Sequence, residues 1–198
     1  DYNIDLHAND LIGLLDYLGV KDVIICGLSV GGLIAQKVTE LAPERVRGLI
    51  LCDTAPKLGD ADGWNTRINA IKEGGIEVLG DAIIERWLSP TYRRDRPVET
   101  AMYRDMLVRT TVEGYVGTCI ALRDGDLRDA ATRISVPVLC ICGSDDLATP
   151  PDVVREMAGM IPGAQFELIN GVGHLPCLET PELLSRLIDR FIKEKNLV

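Results

Sequence analysis

The 198 residues, 46% hydrophobic and 26% charged, suffice to bury one sizeable core and a small appended domain. Thirty Asp and Glu against 21 Lys and Arg give a formal charge of -9, which excludes the broad basic patch that nucleic acid or an anionic membrane requires. An anionic substrate must therefore meet locally placed arginines. In chain order, apolar residues recur at helical spacing from Leu6 to Leu18, and Gly19 supplies the stop. Val23-Ile24-Ile25-Cys26 is a continuous apolar run, which reads as a strand buried on both faces. A turn over Gly27 to Gly32 leads into a helix from Val30 to Leu41, and Val46 to Cys52 repeats the strand pattern. From Pro56 to Asp126 the rhythm breaks: Trp64, Trp87 and several arginines fall in helix-like spacing with no buried strand. Strands return at Val136 to Cys142 and Gln165 to Ile169, with helices at Asp152 to Met160 and Pro181 to Lys193.

This alternation predicts an α/β fold, a parallel sheet with helices on both faces. The expected organisation is a core in two parts, residues 1–55 and 127–198, with a helical cap inserted at 56–126. Cys26, Cys52, Cys119, Cys140, Cys142 and Cys177 lie mostly in apolar runs, where free Cys behaves as a small hydrophobe, so reduced thiols of a cytoplasmic protein are expected. Cys140 and Cys142 share a strand face, which is not the spacing of a zinc site. Neither a metal nor a cofactor is expected. No apolar run approaches the roughly 20 residues of a membrane span, and no signal-peptide pattern is present.

Gly27-Leu28-Ser29-Val30-Gly31 sits between a buried strand and a helix, the context of a nucleophile elbow. In such a turn the flanking positions leave no room for side chains, hence the glycines, and the Val30 N–H faces a developing oxyanion at a helix N-terminus. A Gly-rich turn with a capping serine is the alternative. A serine hydroxyl needs a base within hydrogen-bond reach, and the sequence has two histidines. His7 opens the first helix and reads as a solvated surface residue. His174, in Gly171-Val172-Gly173-His174-Leu175-Pro176, follows the last strand at the carboxyl edge of the sheet, where sites in such folds are built. An acid must hold the base in one tautomer, and Gly143-Ser144-Asp145-Asp146 follows a buried strand in the chain order Ser, Asp, His. Adjacent carboxylates point in different directions; Asp146 is taken as the acid, partly on the resemblance below, and Asp145 as a turn cap.

These motifs, with Pro150, Glu179 and Pro181-Glu182, resemble the α/β-hydrolase family. A narrower resemblance to its 3-oxoadipate enol-lactonases lies in the cap: Glu85-Arg86-Trp87-Leu88-Ser89-Pro90, Glu113-Gly114-Tyr115 and Ala121 to Arg128. It implies a serine hydrolase that opens a small carboxylate-bearing enol-lactone in aromatic catabolism. Arg86, then Arg67 and Arg123, would meet the carboxylate, and Trp87 and Trp64 would pack the cap or line its roof. Family members carry further strands and a loop with a second oxyanion donor ahead of the helix at Leu6 to Leu18. The resemblance therefore implies that preceding residues, or a partner chain, cover the edge of the Val23 to Cys26 strand. The competing readings are a carboxylesterase or perhydrolase of the same fold, and a binding protein or inactive fragment on that scaffold.

Overall fold

The structure, a computed structural model, describes residues 2–197. The first half of the chain forms α1 (Ile4–Tyr17), β1 (Val23–Leu28), α2 (Val30–Leu41) and β2 (Val46–Cys52). The middle is helical: α3 (Ala61–Gly74), α4 (Gly80–Trp87), α5 (Pro90–Asp95), α6 (Pro97–Val108), α7 (Val112–Asp124) and the short α8 (Arg128–Ala131). The chain then alternates again through β3 (Val138–Gly143), α9 (Pro151–Met160), β4 (Gln165–Ile169), α10 (Pro176–Glu179) and α11 (Pro181–Glu194).

All four strands are parallel, in the order β1-β2-β3-β4. Successive side chains of a strand point to opposite faces. Leu49, Leu51, Cys140 and Cys142 therefore join Ala35 and Val38 of α2 and Val154 and Met157 of α9 in one core. Ile50, Cys52, Leu139 and Ile141 meet Leu184 and Phe191 of α11 in the other. Burial on both faces is why β2 and β3 read as unbroken apolar runs. Each fully buried Leu or Ile contributes about 1.5–3 kcal/mol.

Three expectations change. Among the described residues β1 pairs only with β2, it is the end strand of the four, and it is partly rather than doubly buried, with Cys26 exposed. A strand with one neighbour has half its ladder and part of each face uncovered. β3 starts at Val138 rather than Val136, because Pro137 lends its carbonyl to the Leu49 N–H but has no N–H of its own to extend the ladder. His7 is half-buried near the Tyr2 ring, not solvated, and its Nε2 has no hydrogen-bond partner among the described residues.

The helices from Ala61 to Asp124 start where local chemistry favours it. Asp60, Ser89 and Thr111 accept the free backbone N–H groups of Gly63, Tyr92 and Gly114, and Pro90 and Pro97 open α5 and α6. Ile68, Ile71, Ile83, Ile84, Leu88 and Val116 give these helices a core of their own. A smaller cluster of Leu33, Leu58, Leu122 and Leu127 joins that layer to the top of α2.

Candidate active site

Parallel pairing brings the carboxyl ends of all four strands to one edge, and the candidate residues Ser29, Asp146 and His174 lie there. Ser29 stands between β1 and α2 with φ 54° and ψ -120°, a backbone conformation that a non-glycine residue adopts only under constraint. Its N–H donates to the Cys52 carbonyl (3.0 Å), and its own carbonyl accepts from the Thr54 hydroxyl (2.7 Å). A Cβ at Gly27 would enter the backbone of Gly31 and Gly32, and one at Gly32 would strike the Thr54 side chain. Those two glycines are required by close approach. Gly31 faces open space, so the expectation that both neighbours of the elbow lack room holds for Gly27 but not for Gly31. Val30 is the first residue of α2, where an N–H has no partner within the helix and the dipole favours negative charge.

The loop after β3 turns Asp146 inward and leaves Asp145 half-exposed with the Ser144 hydroxyl donating to it. Asp146 is buried and accepts from the backbone N–H groups of Ala148 (2.7 Å) and Thr149 (3.0 Å) through Oδ1. Its Oδ2 accepts from the Thr149 hydroxyl (2.6 Å) and lies 2.8 Å from His174 Nδ1. This fixes the proton of the neutral imidazole on Nδ1 and leaves Nε2 as the acceptor. His174 is itself 2% exposed, its N–H donates to the Trp87 carbonyl (2.8 Å), and the Trp87 ring stacks beside it at 6.4 Å. Gly173, just before it, is packed so closely against Trp87, Ser89 and Glu179 that a side chain would clash. One oxygen of Glu179 accepts from both Ser89 N–H (2.9 Å) and Gly173 N–H (3.2 Å), so it ties the cap to the histidine loop.

Ser29, Val30, Thr149 and His174 open into one cavity of about 740 Å³ roofed by α3, α4 and α7. Its walls include Leu58, Trp64, Ile83, Trp87, Tyr115 and Leu122. Arg67 and Arg86 both line it. Arg67 lies over the Trp64 ring at 5.1 Å, and the Trp64 indole N–H donates to the Leu58 carbonyl (2.6 Å). Burial pushes the Tyr115 phenol up while the neighbouring Arg67 pulls it back. Three other arginines of these helices are engaged: Arg93 with Glu85, Arg104 with Glu77 and Asp81, Arg123 with Asp124 and Asn65. Arg123 thus turns away from the cavity, which removes it as an anion anchor.

The candidate nucleophile, acid and base follow one another along the chain in this order on this sheet edge, and the sequence matches the Alpha/beta hydrolase family over residues 1–187. The chain belongs to that family. Among relatives, this hydrolase is 31% identical to 3-oxoadipate enol-lactonase 2 of Acinetobacter baylyi, over 98% of this chain and 73% of that protein. The enol-lactonase structure from Burkholderia xenovorans superposes with a TM-score of 0.93 at 34% identity, covering 97% of this chain and 74% of that one. A thermophilic esterase from Thermogutta terrifontis, solved with malate bound, gives 0.90 at 27% identity over 97% of this chain and 72% of that one. No described helix of this hydrolase is long and apolar enough to cross a membrane.

Sequence reasoning left several residues of the site without a role. The Thr149 hydroxyl and the Trp87 carbonyl have no motif signature, because any residue offers a carbonyl and Thr is common in loops. Tyr115 stood only within a resemblance. Asp53, discussed below, did carry a signal: it ends a buried strand at the same edge as the other three.

Proposed function

We propose that this hydrolase opens a small carboxylate-bearing enol-lactone, with 3-oxoadipate enol-lactone as substrate and 3-oxoadipate as product. In this reading the Ser29 hydroxyl attacks the lactone carbonyl while His174 Nε2 takes its proton, and Asp146 stabilises the imidazolium through Nδ1–H. The Val30 N–H donates to the oxyanion, which forms beside the N-terminus of α2. Collapse of the tetrahedral species breaks the ring C–O bond, His174 returns the proton to the leaving enol oxygen, and the enol, still tethered within the acyl chain on Ser29, becomes a ketone. His174 then activates water to free the acyl group from Ser29.

The observation that carries this reading is the pairing of that serine–histidine floor with two arginines, Arg67 and Arg86, which line the same cavity and form no ion pair among the described residues. A guanidinium without a carboxylate partner, held over a Trp face, is suited to receive a substrate carboxylate. Arg67 is half-buried and Arg86 exposed, so Arg67 takes precedence over Arg86, the reverse of the order in the sequence reading. The enol-lactonase relatives and the malate-bound esterase support an anionic ligand here. The six free cysteines fit a reducing compartment such as the cytoplasm.

The competing reading, a carboxylesterase for neutral esters, is favoured by the apolar walls at Leu58, Ile83 and Leu122. Comparing kcat/KM for the enol-lactone with that for a neutral aryl ester separates the two. Preference for the lactone by about tenfold or more supports the lactonase reading, and equal or inverted values overturn it.

A further inference from the structure

Asp53 follows β2 and takes no part in the steps above. Its side chain is fully buried, its φ is 46°, and its N–H donates to the Ile141 carbonyl at 2.8 Å. Oδ1 accepts the Gly143 N–H at 2.8 Å, which holds the end of β3 just where the acid loop begins. Oδ2 is buried and has no hydrogen-bond partner among the described residues. One donor for a sealed carboxyl group is too few for a carboxylate.

The titratable groups that bear on Asp53 come from every element around it: Cys52 on β2, Cys142 on β3, Asp146 in the loop after β3 and Cys177 on α10. Each of them is neutral or negative. An oxygen of Asp53, an oxygen of Asp146 and the Cys142 sulfur lie within 4.8 Å of one another. Two carboxylates that close and sealed from water do not both keep a charge. The donors decide which one does. Asp146 accepts four hydrogen bonds and Asp53 accepts one. The same trio has the makeup of a cation site, but burial drives the Cys142 thiol away from the thiolate that would serve as a ligand.

We propose that Asp53 is a positioning residue: a neutral carboxylic acid that anchors the Gly143 N–H and directs its own proton to Asp146, leaving Asp146 the single negative charge behind His174. Burial, reinforced by the Asp146 charge, pushes the Asp53 carboxyl up to about 9. Protonated Asp53 then gives the acid a further donor and keeps the carboxylate from being displaced by a like charge.

Two measurements test this, and only the second rests on the hydrolase reading. The folded form keeps the Asp53 proton up to about pH 9, while the unfolded chain releases it near the ordinary 3.8. The stability this group contributes is therefore fully present below the unfolded value and is lost as pH rises towards the folded one. Asp53→Asn keeps an acceptor for Gly143 and a donor for Asp146 but does not titrate. Denaturant unfolding of both proteins between pH 5 and pH 8 should show the variant gaining on the wild type by about tenfold in the folding constant per pH unit. A difference that stays flat with pH would mean a charged Asp53 and overturn the proposal.

The kinetic test uses a neutral aryl ester. Asp53→Leu removes both contacts and should lower kcat by roughly 10- to 100-fold with KM within about twofold, and Asp53→Asn should restore most of that loss. Equal activity of the Leu and Asn variants, whether high or low, would remove the positioning role. No ester turnover by the wild type would sink the hydrolase reading and the positioning role with it, while the unfolding series still decides the shared proton.

Discussion

The floor of the cavity and its roof are built on different principles. On the floor, Ser29, Asp146 and His174 are each fixed by backbone: a strained φ, two loop N–H groups, and the Trp87 carbonyl. Asp146 and His174 are sealed from solvent, and Ser29 opens to the cavity. In the roof, Arg67 and Arg86 stand on helix surfaces, Arg67 over the Trp64 ring and Arg86 with no ion pair among the described residues, above a core of Ile and Leu. Reaction type depends on geometry to a fraction of an ångström, which only a rigid sheet edge supplies. Substrate choice depends on which side chains face the cavity, and helices of a separate layer can exchange those without disturbing the floor.

The largest expected effects belong to the floor. Ser29→Ala or His174→Ala should lower kcat on any ester by on the order of 10⁴-fold or more, with the double variant scarcely worse than either alone. Asp146→Ala should cost roughly 10⁴-fold and Asp145→Ala little, measured on the same ester. If Asp145 proves the costly one, the acid has been assigned to the wrong carboxylate and the floor is not fixed in the way described.

The roof should respond selectively. Arg67→Gln should reduce kcat/KM for the anionic lactone by roughly 10- to 100-fold, the worth of a hydrogen bond to a charged group, and change neutral-ester turnover by no more than a few fold. Arg86→Gln should follow the same pattern with a smaller loss, and Arg123→Gln should have no selective effect. Equal losses on both substrates would erase the distinction between floor and roof.

The smallest effect tests the seam. Glu179 accepts one N–H from each region, so Glu179→Gln weakens the tie without removing an acceptor. About a two- to tenfold fall in kcat on both substrates is expected, since hydrogen bonds to a charged acceptor are roughly twice as strong as neutral ones. A loss confined to the lactone would show that the seam serves binding rather than the histidine.

Much of this was legible in the sequence, for stated reasons. β2 and β3 announce themselves because strands buried on both faces must be apolar at every position, and Ser29 announces itself because a strained turn excludes side chains at Gly27 and Gly32. His174 was singled out because the sequence has only two histidines, and Asp146 by chain order together with the family resemblance. β1 reads as doubly buried and is only partly so, with its outer edge open among the described residues, since an apolar run reports what a strand can bury and not how many neighbours it has.

What only the tertiary structure decided depends on long-range proximity. The Thr149 hydroxyl against Asp146, the Trp87 carbonyl against His174, and the turning of Arg123 towards Asp124 rather than the cavity are contacts whose partners have no fixed spacing along the chain. The nearness of Asp53 to Asp146 is of the same kind, set by the parallel pairing of β2 with β3. The sequence by itself determined the strands, the elbow and the order of nucleophile, acid and base, because those are local in pattern or unique in composition. Which side chains share the cavity, and which carboxyl group keeps its proton, was decided by the folded sheet edge, because charge and solvent exclusion act through space rather than along the chain.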